Sequence, residues 1–359
     1  MGGDRTPERK EPALTLAHLR RVLRAGRIRR AFAADSRDAS RRRAARSCGG
    51  HPFGRPVLDI RPAECFLAGH LPGTVCIPAD EIDARIYELP PKERALIVAG
   101  DDPAAAAATA RRLHERGWLA CLALGEPLSA WPGPWETGAA RARLWEPSPL
   151  VRRFAPLMPA GPVADLGCGA GRDAVYLALR GHPVVAVDRL PEALEMARAL
   201  AARNGAAVHA VRADLRRERP PDAGGFPAGD EAACAQSRPA GARPPAARAS
   251  SGSAGYSAVL MIRFLERDLR AWIAGSLAPG GLFLLEAHLA RGLPPRARPS
   301  RTRLRPQEAR ALFALPECEL RFYEETRDEA GEAIARLVLR RPTQPLPEAG
   351  FEEGSHGSA

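Results

Sequence analysis

A glycine-rich stretch and two later carboxylates have residue types and spacing suited to binding a nucleoside-containing ligand. Residues 165–172 read DLGCGAGR and lie where an apolar strand candidate is followed by a helix candidate. Glycines at such a turn allow sharp backbone bends and let a ligand approach without a Cβ in the way. Asp188 closes the next strand candidate, 21 residues after Gly167, where a carboxylate can accept both ribose hydroxyls. Asp214 closes a third strand candidate, within reach of an adenine amino group.

The charges of these residues distinguish between two kinds of nucleoside ligand. Parallel strands end at one edge of a sheet, so Asp165, Asp188 and Asp214 are predicted to face one crevice. An acid beside the glycine turn would repel a pyrophosphate and attract a sulfonium cation. The stretch also has the pattern GxGxG, whereas a dinucleotide-binding domain has GxGxxG. The sequence therefore favours a cationic nucleoside ligand over NAD.

Strand and helix candidates alternate along the part of the chain that contains these residues. From residue 162, strand candidates at 163–166, 184–188, 207–213, 257–262 and 282–286 alternate with helix candidates at 172–180, 191–204 and 266–277, and a turn is predicted at 279–281. A helix at 306–313 and strands at 318–323 and 333–339 follow. This alternation of strands and helices predicts an α/β fold with a seven-stranded Rossmann-like sheet over residues 149–341. Residues 219–255 are rich in Pro, Gly, Ala and Ser and are predicted to be a low-complexity insertion.

Residues 149–341 resemble class I S-adenosylmethionine-dependent methyltransferases, and more narrowly the tellurite and thiopurine methyltransferase-like group. The resemblance is carried by residues 144–149, residues 165–176 with their GxGRD ending, the turn at 180–182, Asp188 and the turn at 279–281. It implies S-adenosylmethionine as cofactor. No metal is predicted, because the seven cysteines form no CxxC pair. It does not specify the methyl acceptor.

The resemblance also implies which residues bind the cofactor. Gly167, Gly169 and Gly171 would line its methionine part, Asp188 would hold the ribose, and Asp214 and Leu215 would frame the adenine. The full predicted cofactor set is Asp165, Gly167, Cys168, Gly169, Gly171, Arg172, Asp188, Asp214, Leu215, Ile262 and Arg263. The insertion after Asp214 departs from the family and could alter the adenine side.

Methyl transfer requires no particular catalytic side chain, because the enzyme mainly aligns acceptor, carbon and sulfur. The catalytic candidates follow the fourth strand candidate or end the fifth: Arg263, Glu286 and His288. A base matters only for an acceptor that still carries its proton. Each candidate has a plainer alternative, which is a loop ion pair for Arg263 and a solvated strand end for the other two.

Further side chains have both a functional and a plain interpretation. Trp145 could cap the pocket or anchor a linker. Arg301, Arg303 and Arg305 could recognise an anionic substrate or be solvated. Cys168 is interpreted as a small packing residue rather than a nucleophile.

Residues 51–135 are predicted to form a separate small α/β domain. Strand candidates at 57–60, 95–99 and 121–124 alternate with helix candidates at 80–87 and 104–116, which predicts a parallel sheet. The stretches 57–61, 64–78 and 117–131 resemble the beginning and end of rhodanese-like domains. In active members the loop after the third such strand begins with cysteine, whereas here it reads Gly100-Asp101-Asp102. The resemblance therefore implies a docking or stabilising module without sulfur transfer.

The remaining segments are a basic tail at 1–50, a linker at 136–148 and a fraying tail at 342–359. Residues 1–50 carry 14 Lys+Arg and 5 Asp+Glu, a balance of +9 out of the total of +11. Both domains are then close to neutral, so a nucleic-acid partner is not expected. The seven cysteines form no CxxC pair, and no long apolar run exists, which predicts a reduced, soluble, cytoplasmic protein. The Arg- and Ala-rich segment 16–46 leaves a mitochondrial transit peptide as the alternative.

The sequence thus predicts methyl transfer to a small molecule such as a thiol, a chalcogen oxyanion or a small metabolite. Two alternatives remain. The basic tail could engage a protein or RNA acceptor, and the chain could bind the cofactor as a scaffold without turnover.

Overall fold

The computed structural model describes residues 55–118, 120–140, 142–224, 255–290 and 300–343. The chain divides into two compact units, residues 1–146 and 147–359. The predictions for the tail at 1–50, for nearly all of the insertion at 219–255 and for most of the segment at 342–359 lie outside the described residues.

The first unit contains a four-stranded sheet in which every neighbouring pair is parallel, as predicted. Its order is β2-β1-β3-β4. The strands are β1 (Val57–Asp59), β2 (Thr74–Cys76), β3 (Leu96–Ala99) and β4 (Cys121–Ala123), and the helices are α1 (Ala63–Ala68) and α2 (Pro103–Glu115).

Two short elements of this unit were not predicted, and one prediction was wrong. Strand β2 and helix α1 are too short to show a clear apolar period in the sequence. The predicted helix at 80–87 is instead a series of turns followed by a single 3-10 turn at Ile86–Glu88. Ile82 and Leu89 are nevertheless fully buried, so tertiary packing overrides the local helix preference here.

The second unit contains a seven-stranded sheet of order β10-β11-β9-β8-β5-β6-β7. Only β11 runs antiparallel to its neighbours. The strands are β5 (Val163–Leu166), β6 (Val184–Asp188), β7 (His209–Arg212), β8 (Tyr256–Ile262), β9 (Leu277–His288), β10 (Glu319–Arg327) and β11 (Ala333–Arg340). The predicted strands are found, with shifted ends, and the parallel-dominated α/β sheet is confirmed.

Five helices accompany this sheet in the residues that the structure describes, and apolar clusters lie on both of its faces. They are α3 (Pro149–Phe154), α4 (Arg172–Ala178), α5 (Pro191–Arg203), α6 (Arg270–Ser276) and α7 (Glu308–Leu312). The predicted turn at 279–281 falls inside β9, which begins earlier than expected. There Gly280 has a φ of 80°. A Cβ on Gly281 would lie 2.7 Å from the Tyr256 carbonyl oxygen, so only glycine fits.

The topology decides where a ligand can bind. The chain crosses from β5 to β6 and β7 on one side and from β8 to β9 on the other, so the strand order reverses between β5 and β8. In open α/β sheets the crevice beyond the carboxyl ends of the strands at such a reversal is the usual ligand site. The antiparallel β11 departs from the six-stranded order of dinucleotide-binding folds.

None of the helices among the described residues is long and apolar enough to cross a membrane. In the same residues, no group of three or more His, Cys, Asp or Glu side chains is arranged to hold a metal ion.

Candidate cofactor and acceptor site

The glycine loop connects β5 to α4 at the point where the strand order reverses. Gly167, Gly169 and Gly171 have φ angles of 71°, 53° and 76°, which strain any other residue. The amides of Gly167 and Cys168 donate to the Val187 carbonyl at 2.8 Å and 3.0 Å, which ties the loop to β6. The loop is therefore held by backbone contacts.

The three glycines serve different purposes. A Cβ on Gly167 would lie 2.5 Å from the Phe264 ring, and one on Gly171 would lie 2.6 Å from the Cβ of Ala197. These two glycines allow close packing. A Cβ on Gly169 would have no neighbour within 4 Å, so the backbone of Gly169 borders open space. Only Gly169 therefore leaves room for a ligand.

Asp188 ends β6 directly beside this loop. Its Oδ2 accepts a hydrogen bond from the Gly169 amide at 3.0 Å, and its Oδ1 accepts one from the Leu190 amide at 3.0 Å. The two bonds fix the plane of the carboxylate. A carboxylate has about four lone-pair sites, so further acceptor capacity remains for a ligand.

Leu190 is a residue of this site that the sequence did not reveal. It is 48% exposed, its amide donates to Asp188, and α5 begins immediately after it. The signal in the sequence was an apolar residue two positions after a strand-end acid. That pattern is too common to be informative without the structure.

Asp165, which was predicted to face the crevice, is an enclosed residue of β5. It is 3% exposed and accepts a hydrogen bond from the Ala174 amide in the first turn of α4. Burial, then the neighbouring Asp173, raise the pKa of Asp165 well above its usual range. A proton on this carboxyl group would cancel the negative charge that the sequence argument relied on.

Asp173 links the glycine loop to the beginning of the second unit. Its Oδ1 accepts a hydrogen bond from the Ser148 amide at 2.7 Å, and the Ser148 hydroxyl caps α3 by accepting from the Leu150 amide. Burial raises the pKa of Asp173 to about 6. The buried Asp165 and the half-buried Asp173 therefore form an acidic pair.

The remaining predicted cofactor residues differ in how far they are exposed to solvent. Asp214 follows β7 by two residues, and its Oδ1 accepts from the Arg216 amide at 3.2 Å. Leu215 is 6% exposed and belongs to the apolar core. Arg172 is exposed at the first position of α4, and Ile262 is half-buried at the end of β8. Cys168 is half-buried, and burial raises the pKa of its thiol far above the usual range, which fits a packing role.

On the other side of the reversal, Arg263 follows β8 in a left-handed conformation with a φ of 57°. Its amide donates to the Glu286 carbonyl at 2.7 Å. Its Nε lies 2.6 Å from Glu286 Oε1, and its Nη2 lies 2.9 Å from Asp328. Arg336 Nε binds the second Glu286 oxygen at 2.6 Å. Glu286 is therefore held by two arginines, and the ion-pair interpretation of Arg263 agrees with the geometry.

His288 is held by the same network. Its Nε2 lies 3.3 Å from Arg263 Nη1, so this nitrogen accepts and the ring is neutral in this arrangement. Partial burial, then Arg263 and Arg303, lower the pKa of His288. The buried Nδ1 has no hydrogen-bond partner among the described residues.

Of the arginines in the loop before α7, Arg303 lies close enough to His288 to lower its pKa. Arg301 and Arg303 are exposed, and Arg303 donates to the Leu289 carbonyl at 3.3 Å, while Arg305 is half-buried. Trp145, the possible pocket cap, is buried in the first unit, where Arg143 lies over its ring.

The carboxyl edge of the first unit's sheet is occupied by its own side chains. Arg61 binds the buried Asp59 at 2.7 Å and the Gly69 carbonyl at 2.8 Å. In the loop after β3, Asp102 caps α2 by accepting from the Ala104 amide, and Asp101 lies 3.7 Å from Arg61. This loop thus contains two carboxylates, and that of Asp102 caps a helix.

Comparison with known proteins adds to this geometry. Residues 163–228 match the family model of a methyltransferase domain. The uncharacterized protein UNK4.09 of Schizosaccharomyces pombe is 30% identical over 141 residues, covering 34% of this chain and 42% of that protein. A 2-heptyl-1-hydroxyquinolin-4(1H)-one methyltransferase of Mycobacteroides abscessus is 37% identical over 81 residues, covering 22% of this chain and 32% of that protein. The solved structure of TehB from Haemophilus influenzae is 17% identical, with a TM-score of 0.38, covering 53% of this chain and 61% of that chain.

The chain thus spans less than half the length of these two curated relatives. The region matched by the family model contains the glycine loop, Asp188 and Asp214. Over residues 163–228 the second unit is therefore similar to a methyltransferase domain. Gly169, with open space where a side chain would stand, and the fixed Asp188 carboxylate suit S-adenosylmethionine as the cofactor.

Proposed function

We propose that the second unit transfers the methyl group of S-adenosylmethionine to a small-molecule acceptor. The observation that carries the proposal is Asp188, whose two oxygens are each fixed by one backbone amide. The carboxylate is thereby preorganised to accept hydrogen bonds from the two ribose hydroxyls. The cofactor supplies a methyl group on a positively charged sulfur.

The neighbouring residues support the same ligand pose. The methionine part of the cofactor would run along the open backbone of Gly169. The exposed side chain of Leu190 offers an apolar surface that an adenine ring would cover. Asp214 would reach the adenine amino group from the end of β7.

The acceptor side favours a nucleophile that needs no protein base. Glu286 is buried between two arginines, and the Nε2 of His288 is turned towards Arg263. Removing a proton from the acceptor would require breaking these contacts. We therefore propose an acceptor that is already an anion near neutral pH, such as a thiolate, a chalcogen oxyanion or an ionised N-hydroxy group.

A small acceptor is also supported by the relative from Mycobacteroides abscessus, which is named for a hydroxyquinolone. Arg263 carries five N–H groups, and three of its nitrogens already have partners. With 38% of its side chain exposed, it can bind an acceptor oxygen or sulfur with the remaining donors. We propose that the domain is related more narrowly to the tellurite and thiopurine methyltransferase-like group.

We further propose that the first unit is a rhodanese-like module that does not transfer sulfur. The loop after β3 has no cysteine, and Asp101 and Asp102 would repel a thiolate or an anionic sulfur donor. Its role would be docking or stabilisation. A thiosulfate-to-cyanide sulfur transfer assay on the full chain should give no turnover, and measurable turnover would overturn this part.

The cofactor assignment is tested by calorimetry of the full chain with S-adenosylmethionine and S-adenosylhomocysteine. Asp188→Ala removes a charged acceptor of two ribose hydroxyls, so the affinity for both ligands should fall at least about tenfold. The matched control is Glu195→Ala, which removes an exposed carboxylate of α5. Equal affinities of Asp188→Ala and the native chain would refute the ligand pose.

The acceptor is tested by incubating the chain with S-adenosylmethionine and panels of thiols, chalcogen oxyanions and N-hydroxy compounds, with detection of methylated products. A chain without residues 1–50 should keep its small-molecule activity. Loss of activity on protein or RNA in that truncation, with no small-molecule turnover in either form, would favour a macromolecular acceptor. Cofactor binding without any methylated product would favour a scaffold.

A further inference from the structure

The turn between β10 and β11, residues 328–332, is closed by several short hydrogen bonds. The Asp328 amide donates to the Glu332 carbonyl at 2.9 Å, and the Gly331 amide donates to the Asp328 carbonyl at 3.0 Å. The Glu332 amide donates to Oδ1 of the Asp328 side chain at 2.7 Å. The turn therefore fixes one oxygen of the Asp328 carboxylate and leaves the other, Oδ2, for contacts outside the turn.

The second oxygen of Asp328 binds a residue at the end of a distant strand. Its Oδ2 lies 2.9 Å from Nη2 of Arg263, although β11 and β9 separate β10 from β8 in the sheet. Only 9% of the Asp328 side chain is exposed. Removing the guanidinium would leave a nearly enclosed charge without its counterion, so this contact is more costly to break than most surface ion pairs.

Arg263 is the last member of a row of alternating charges that crosses the sheet. Glu324, Arg336 and Glu286 lie opposite one another on β10, β11 and β9, so their side chains share one face. Arg336 binds Glu324 at 2.9 Å and Glu286 at 2.6 Å. Glu286 in turn binds Nε of Arg263 at 2.6 Å. The row thus holds one end of the Arg263 guanidinium, and Asp328 holds the other.

The two ion pairs together determine the plane of the Arg263 guanidinium. One contact at Nε would let the group swing about that contact, whereas the second, from Asp328 to Nη2, fixes it. The contact from Nη1 to His288 Nε2 is longer, at 3.3 Å, and goes to a neutral ring. Of the five N–H groups, one on each terminal nitrogen is left. The direction of these two donors therefore depends on Asp328.

We propose that Asp328 is a positioning residue for the methyl acceptor. It does not touch the acceptor but orients the two remaining donors of Arg263 towards the acceptor anion. This inference rests on the proposed function, in which Arg263 binds that anion. Gly169 and Asp188 lie on the other side of β8, beyond β5 and at the end of β6, so the loss of Asp328 should weaken acceptor binding and leave cofactor binding unchanged.

Steady-state kinetics of the full chain tests this role with three probe acceptors that are anions near neutral pH: 4-nitrothiophenol, selenite and 1-hydroxy-2-pyridone. For the best of the three, Asp328→Asn should raise the acceptor KM about tenfold, with kcat and the affinity for S-adenosylhomocysteine within about threefold of the native values. Gly331→Ala is the matched control. It strains the same turn, where Gly331 has a φ of 83° and nothing within 4 Å of its Cβ position, but keeps the carboxylate. Its acceptor KM should stay within about twofold of the native value.

A double-mutant cycle with Arg263→Lys shows whether Asp328 acts through Arg263. Lysine has no planar fork to orient, so in that background Asp328→Asn should raise the acceptor KM by less than about twofold. A tenfold rise in both backgrounds would mean that Asp328 only stabilises the turn, and would overturn the proposal. An unchanged KM in Asp328→Asn, or an equal rise in Gly331→Ala, would also overturn it, and these single variants decide the case if Arg263→Lys does not fold.

The native chain separates a failure of this inference from a failure of the proposed function. If it binds S-adenosylmethionine but neither binds nor methylates any of the three probes, the acceptor side of the proposed function and this inference are both overturned. If it methylates a probe, the outcomes for the variants concern Asp328 alone.

Discussion

Arg263 and Glu286 form an ion pair in which Nε and Oε1 lie 2.6 Å apart, at the carboxyl ends of β8 and β9. Glu286 is 1% exposed, and its other oxygen binds Arg336. Arg263 has a left-handed backbone conformation, which is uncommon for arginine. The ion pair and the hydrogen bond from the Arg263 amide to the Glu286 carbonyl hold it in this conformation. Glu286, which the sequence offered as a general base, thus holds the loop that contains Arg263 in place.

Replacing Glu286 by Gln should destabilise the second unit, because two arginines lose their shared buried anion. We expect a loss on the order of 3 kcal/mol in the free energy of unfolding, the lower end for a broken buried pair, since Arg263 is partly exposed. Urea unfolding monitored by exchange of β9 amides measures this. Glu324→Gln is the matched control, because Glu324 binds the same Arg336 from a more exposed position, and it should cost at most about 1 kcal/mol. Equal effects would contradict the buried-anion explanation.

Replacing Gly169 by Ala should lower the affinity for the cofactor strongly and the free energy of unfolding only slightly. The strain of the left-handed conformation should cost about 1 kcal/mol, while the new methyl group enters the space proposed for the cofactor, so affinity should fall at least about tenfold. Gly205→Ala is the control, because Gly205 has a φ of 63° with nothing within 4 Å of its Cβ position, away from the site. It should show the same destabilisation with native affinity. Calorimetry and thermal unfolding measure the two quantities.

The half-buried Asp173 predicts a pH dependence of stability with a defined sign. Burial raises the pKa of Asp173 to about 6, above that of an unfolded chain. Between the two values the folded state keeps a proton that the unfolded state has lost, so the free energy of unfolding falls as pH rises from about 4 to about 6. Asp173→Asn should flatten this decline, since the amide oxygen can still accept from Ser148. Chemical unfolding of both proteins across this range measures the difference. Identical pH profiles would show that the group does not titrate there.

The thiols should differ in reactivity by position. Cys65 is exposed, whereas Cys121 is buried and Cys168 is half-buried, and burial raises the pKa of both of these thiols. Iodoacetamide at pH 8 should therefore modify Cys65 before the other two, because the thiolate is the reactive form. Peptide mass spectrometry over time measures the order. Cys168→Ala should bind S-adenosylmethionine within about threefold of the native chain, and complete loss of binding would argue for a direct role of the sulfur.

The wrong and missing predictions share a cause. The sequence predicted the strands at 163–166 and 184–188 because short, mostly apolar segments that are followed by glycine or end in an acid are strong local signals. Strand β2 and helix α1 carry too few residues for such a signal. The segment at 80–87 has a helical pattern, but burial of Ile82 is achieved by turns. Short elements follow tertiary packing, which a local pattern does not contain.

The residues of the candidate site likewise fall into those that local sequence predicts and those that depend on tertiary packing. The sequence by itself determined the positions of the glycines and of Asp188, because their backbone conformation and strand-end location depend on neighbours close in the chain. Whether a carboxyl group is exposed, enclosed or paired depends on residues far away in sequence. The enclosure of Asp165, the capture of Glu286 by Arg336 and the exposure of Leu190 were therefore decided only by the tertiary structure, since burial and ion pairing are properties of the assembled sheet.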